Sequence, residues 1–207
     1  MAKFWKDYGL KMVLEGITAL LQHNPGGMKA APTGTTRKTI PLPEDEAEAA
    51  AYRRPDGSLG HPANAVRACL LGGATGIKIG RKAASTVLAE TIGFFPPLEG
   101  DELFPLENKD GKPITTYEID TRRAVVESRG ILRSRPKIMP WRLRCVLKLT
   151  LPGDTDIQHF RTDLIDLVNQ AGTYPGLGDG RPEKKKGKGL WFGKFNVIEL
   201  EIEPLED

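Results

Sequence analysis

The chain has 207 residues, of which 39% are hydrophobic and 28% charged, with 30 Lys and Arg against 27 Asp and Glu. That length allows one large domain with an ordinary core, and no apolar run approaches the roughly 18 residues of a membrane-spanning helix. The two cysteines, Cys69 and Cys145, lie far apart inside apolar patterns, which excludes a disulfide framework or cysteine metal site, and no signal-peptide pattern opens the sequence, so the expectation is a reducing, cytoplasmic setting without metal or cofactor.

Residues 10–21 predict a first strand, with apolar side chains on both sides of the alternation as in a central strand. His23-Asn24-Pro25-Gly26-Gly27 breaks it, and the Thr-, Pro- and Gly-rich residues 28–43 read as a loop. Glu44 to Tyr52 reads as a short acidic helix. Pro62 opens a small-residue helix over 63–74 that Gly76 stops, and a second helix is expected over 81–91. Asp110-Gly111 marks a hairpin tip. Residues 114–120, 122–127 and 131–135 are short strand candidates, with a turn at Ser128-Arg129-Gly130.

The clearest element runs from Trp141 to Thr150. Trp141, Leu143, Cys145, Leu147 and Leu149 alternate with Arg142, Arg144, Val146, Lys148 and Thr150, the pattern of a strand with one buried face. Ile157, Phe160, Leu164, Leu167 and Ala171 recur at helical spacing. Thr155 and Gln158 have capping-box spacing at the start of that helix, and Gly172 is expected to end it. A final strand is predicted over 192–203, and the adjacent pair Val197-Ile198 implies a bulge. The order of elements predicts an α+β chain with a ferredoxin-like β-α-β-β-α-β core, read as a single domain over 1–207 with an insertion at about 25–140.

Charge is unevenly spread. From Thr121 to Lys148 nine Lys and Arg face one acid, Glu127, and a glycine- and lysine-rich stretch, residues 176–195, runs into the last strand. Local fields of this kind favour a polyanionic partner. The stretch is not a phosphate-binding P-loop, because no Gly-Lys-Ser/Thr ends it and a strand follows instead of a helix. Two sets of residues are therefore expected to meet nucleic acid. One is Arg142, Arg144 and Lys148 on the solvent face of the alternating strand, with Arg133 and Arg135 at its entrance. The other is Arg181, Lys184, Lys185, Lys186 and Lys188, with Gly176, Gly178, Gly180, Gly187 and Gly189 allowing close backbone approach. Trp191 and Phe192 are candidates for base stacking. His23 and His61 are weighed as general acid or base and read more simply as turn and helix-entry residues, so no catalytic residue is expected.

Leu20, Leu21, His23 and Asn24, then Arg133, Arg135 and Pro136, then Gly176, Gly178, Asp179, Arg181 and Pro182 leading to Phe192, Gly193 and Phe195 form an ordered set. It resembles a group of phage and prophage proteins. The glycine-rich loop between the last helix and the last strand resembles that of the RAMP superfamily, the RNA-binding proteins of CRISPR effector complexes. The resemblance implies a non-catalytic backbone subunit that coats single-stranded RNA, or else DNA, as a homo-oligomeric filament or ring. The alternatives are a metal-independent endoribonuclease of the same superfamily, and a phage assembly or scaffold protein with no nucleic-acid role. The acidic segment Glu44, Asp45, Glu46 and Glu48 is the expected counterpart of the basic ones in subunit contacts.

Overall fold

The computed structural model describes residues 4–27, 42–91, 102–126, 129–182 and 189–205. The sequence that alternates most strictly forms the centre. Strand β1 (Trp5–Gly16) pairs antiparallel along its length with the strand formed by Arg142–Pro152, from Trp5 opposite Pro152 to Glu15 opposite Arg142. In chain order come β2 (Leu20–Leu21), α1 (Pro43–Ala50), β3 (Gly60–Pro62), α2 (Ala63–Gly73), β4 (Lys78–Ile79), β5 (Lys82–Ala83), α3 (Ala84–Thr91) and β6 (Leu103–Glu107). After them follow β7 (Glu118–Val126), β8 (Arg129–Ile138), β9 (Arg142–Pro152), α4 (Ile157–Thr173) and β10 (Phe195–Pro204). The chain is α+β. One antiparallel sheet has the order β10-β1-β9-β6-β3, a second has the order β2-β8-β7, and β4 with β5 forms a small hairpin.

The core lies between the five-stranded sheet and the helices. Leu10, Met12 and Leu14 of β1 and Leu143, Cys145, Leu147, Leu149 and Leu151 of β9 are buried with Val66, Cys69 and Leu70 of α2 and Phe160, Leu164, Leu167 and Ala171 of α4. The two helices approach closely because a Cβ at Gly73 would collide with Ala171, and α4 approaches β10 as closely, since a Cβ at Gly172 would collide with the Phe195 carbonyl. Both cysteines are buried, as their apolar settings imply, and burial pushes the Cys69 thiol up to about 12.

Several boundaries differ from expectation for local reasons. The expected strand over 10–21 is two strands in two sheets. It breaks at Gly16, where the buried Trp141 indole fills the space a side chain would take and donates from Nε1 to Thr18 O at 2.9 Å. The three candidates across 114–135 condense into β7 and β8; Arg129 and Gly130 of the expected turn lie within β8, and Glu127 and Ser128 lie outside the described residues. Helix α3 starts at Ala84, because Gly80, at φ 58°, turns the preceding residues into the β4–β5 hairpin. The cap of α4 is Asp156, whose carboxylate accepts from Gln158 N at 3.0 Å and His159 N at 3.1 Å, so Thr155 is displaced by one residue. Gly172 sits inside that helix, and Pro175, two residues past its end, cannot continue it. The bulge is present: the β1–β10 register shifts between Val13 and Leu14, leaving Ile198 without a partner, and β10 begins at Phe195 instead of residue 192.

Candidate nucleic-acid interface

The outward side chains of β9 do not stand alone. Arg142 donates from Nε to Glu15 Oε2 at 2.6 Å, Arg144 Nε lies 3.2 Å from Glu107 Oε1, and Lys148 Nζ lies 2.7 Å from Asp7 Oδ2. Lys11 of β1 pairs with Glu203 of β10 at 2.6 Å. Lys148, then Thr150, hold the Asp7 carboxyl below its ordinary range by hydrogen bonding. By register, Glu199, Glu201 and Glu203 of β10 lie on this same face, opposite Val13, Lys11 and Gly9. Among the described residues of these strands, the cations Lys11, Arg142, Arg144 and Lys148 thus stand among six carboxylates, Asp7, Glu15, Glu107, Glu199, Glu201 and Glu203. Each exposed pair contributes only about 0–1 kcal/mol. The summed charge matters more: a phosphate here would compete with carboxylates already in place and meet a face with no positive excess.

A second face is built by the β7–β8 ribbon and the loop after α4. Opposite residues of the ribbon are Asp120 and Arg135, then Arg122 and Arg133, which puts three guanidinium groups on one side of it. Arg135 Nε lies 2.7 Å from Asp179 Oδ2, an ion pair without a well-aligned hydrogen bond, and this ties the ribbon to the loop. Arg122 is steadied by Asp120 at 2.6 Å, and its guanidinium carbon sits 4.7 Å from the centroid of the Phe192 ring. Glu46 of α1 closes the free edge of β8, accepting from Ser134 N at 2.9 Å and from Arg133 Nη1 at 2.8 Å. Glu48 is likewise engaged, by Arg53 at 2.7 Å and the Tyr117 hydroxyl at 2.7 Å, and Arg53 first among these holds its carboxyl at about 2. Among the described residues, Glu46 and Glu48 of the acidic helix are thus engaged within the chain.

The loop itself is held by its own backbone. Leu177 N donates to Gly193 O at 2.9 Å, Gly193 N to Ala19 O at 2.8 Å, and Asp179 N to Leu21 O at 2.9 Å. Gly176, Gly178 and Gly180 all have positive φ, as expected of backbone-approach glycines. The backbone that Gly176 and Gly178 approach is this chain's: a Cβ at Gly176 would lie 3.0 Å from Gly193 O, and one at Gly178 would collide with Leu21 O. Arg181 is exposed and donates from Nη1 to Gly178 O at 2.9 Å. Lys184, Lys185, Lys186, Lys188 and Gly187 lie outside the described residues; Gly189 is described and half-buried at the far stem. Trp191 is 58% exposed and stacks on Phe192, which is 3% exposed, with ring centroids 5.8 Å apart.

Two residues have more to do than their sequence context suggested. Gln22 is fully buried and bridges three segments, donating from Nε2 to Gly60 O at 2.7 Å and accepting from Tyr52 N at 2.9 Å. His61, expected at a helix entry, is 2% exposed, packs edge-to-face on Tyr52 at 6.2 Å, and has no hydrogen-bond partner at either ring nitrogen among the described residues. Burial, and then the Arg181 charge, push its pKa from 6.5 down to about 4. Arg122 is also a gain over the sequence reading; the Arg122-Arg123 pair facing Arg133 across a hairpin was the signal available for it.

The histidine has a measurable consequence. Folded His61 stays neutral to about pH 4, whereas the unfolded chain binds its proton near pH 6.5. Stability is therefore full above about pH 6.5 and falls as pH drops toward 4, by about 3 kcal/mol in all. Urea unfolding at pH 7 and pH 4.5 should show this loss in the wild type and a much smaller one in His61→Leu. An equal loss in both would place the acid sensitivity elsewhere. Glu48 titrates in a lower window, its contribution being lost as pH falls from about 4.5 toward 2.

Among the described residues, no group of three or more His, Cys, Asp or Glu is placed to hold a metal, and no helix is long and apolar enough to cross a membrane. Neither a protein-family model nor a curated protein matches the chain.

Proposed function

We propose that the chain is a non-catalytic protein that binds single-stranded nucleic acid, RNA in preference to DNA, as a repeated subunit of a nucleoprotein assembly. The observation that carries this is the joining of residues 118–137 to residues 176–194 by the Arg135–Asp179 ion pair and the Arg122–Phe192 contact. These two segments contain twelve Lys and Arg against five Asp and Glu, while the rest of the chain is net acidic. A local excess of Lys and Arg in two joined segments, on a chain of small net charge, favours a polyanion there. The β9 residues Arg142, Arg144 and Lys148, on a face where carboxylates outnumber cations, play the smaller part in this reading.

The fold supports the same class. With α2 between β1 and β6, and α4 between β9 and β10, the order β10-β1-β9-β6 corresponds to the 4-1-3-2 order of a ferredoxin-like sheet, with β3 added beyond it. This is the fold that the RAMP resemblance implies. The endoribonuclease alternative gains no support from His61, whose imidazole is buried away from any ribose hydroxyl.

The test is direct. Purified protein should carry nuclease-sensitive absorbance at 260 nm. Once stripped, it should bind labelled oligo(U) more tightly than oligo(dT), with an affinity that falls steeply with salt. Absence of salt-sensitive binding to either would overturn the proposal.

A further inference from the structure

The face that carries Arg122, Arg133 and Arg135 also carries an aromatic surface that charge does not explain. Trp191 is more than half exposed, although the residue after it, Phe192, is almost fully buried. The two rings lie 27° from parallel, and the guanidinium of Arg122 covers the Phe192 ring. The backbone beneath them is fixed: Phe192 N donates to Gly180 O at 3.3 Å and Gly193 N to Ala19 O at 2.8 Å. Leu190 is partly exposed beside them and faces Gly180. The indole is therefore an open, flat, preorganised surface backed by a stacked ring and an arginine. Trp5 is also exposed, but it lies at the outer end of β1, where no such backing is found among the described residues.

We propose that Trp191 is the base-stacking residue of this interface, with an unpaired base of the single strand lying on the indole and the adjoining phosphates facing Arg122 and Arg181. This rests on the nucleic-acid reading above. It adds that the ligand must have exposed bases, so that a duplex or a bare polyanion is a poorer ligand. Stacking of this kind tolerates any base, because every base has a π-face.

The experiment uses the full chain and three labelled probes: oligo(U), an RNA duplex, and an abasic oligomer with the same number of phosphates. Trp191→Leu keeps apolar bulk but removes the aromatic plane, Trp191→Phe keeps a smaller plane, and Trp5→Leu is the control. Trp191→Leu should weaken oligo(U) binding by roughly 5- to 100-fold, the loss of one base–aromatic stack. Trp191→Phe should lose much less, and abasic binding should be equal in all variants. Oligo(U) should quench tryptophan fluorescence in the wild type and in Trp5→Leu, but not in Trp191→Phe. Equal oligo(U) binding by Trp191→Leu and wild type overturns the stacking role, while leaving salt-sensitive binding intact. Loss of self-association in Trp191→Leu with unchanged oligo(U) affinity also overturns it, by making Trp191 a protein contact. If the wild type binds none of the probes, the underlying reading fails instead.

Discussion

Gly193→Ala is expected to be among the most damaging single substitutions in the chain. Gly193 has φ 68°, and a Cβ there would collide with the carbonyl and other backbone atoms of Leu177. A side chain in left-handed backbone costs about 1–2 kcal/mol, and forcing apart a packed contact adds about 1–3 kcal/mol. The neighbour cannot swing away, because Leu177 N is itself bonded to Gly193 O at 2.9 Å. Gly57 is the natural control: its φ is 81°, yet a Cβ would meet nothing within 4 Å. For a chain of this length, thermal unfolding should show Gly193→Ala down by about 10 °C and Gly57→Ala by only about 3 °C. Equal shifts would mean that the loop gives way easily and that its stems do not hold the interface.

Removing charge should affect binding very differently on the two faces. Changing Lys184, Lys185, Lys186 and Lys188 together to Ser should lower the log–log salt slope of oligo(U) binding by about three, since each neutralised phosphate of a single strand contributes roughly 0.7. Its melting temperature should barely move, because a run of lysines is rarely buried and surface charge contributes little to folding. Changing Arg142, Arg144 and Lys148 together to Gln should do the reverse. The slope should hold, while stability falls as Glu15, Glu107 and Asp7 lose the cations beside them. A fall in slope for the β9 variant, with none for the lysine variant, would move the interface to the sheet.

Those opposite expectations mark what the sequence can and cannot show. Strict alternation over 141–150 is a local property, and it located β9 and its buried side correctly. The apolar stripe of α4 and the bulge at Val197-Ile198 were legible for the same reason. What neutralises the outward charges was not. Glu107 is 37 residues from Arg144, Glu15 is 127 from Arg142, and Glu46 is 87 from Arg133, so only strand register and helix placement bring them together. Gly16 hid the end of β1 because its reason is the Trp141 indole, far along the chain. The glycines after α4 were recognised as positions of close approach, but which backbone they approach depends on tertiary packing. Burial of His61 likewise depends on Tyr52 and on the pairing of β3 with β6.

The clamp between the two stems of that loop joins them without using the residues between Pro182 and Gly189. Its last described bonds, Leu177 to Gly193 and Phe192 to Gly180, lie inside the span from Gly176 to Gly193 and do not involve residues 183–188. A change of length between Pro182 and Gly189 leaves the partners of those two bonds in place, and closing a longer loop costs only about 0.6 kcal/mol per doubling. An engineer therefore has a graft point between Pro182 and Gly189, with the clamp beneath it left as it is.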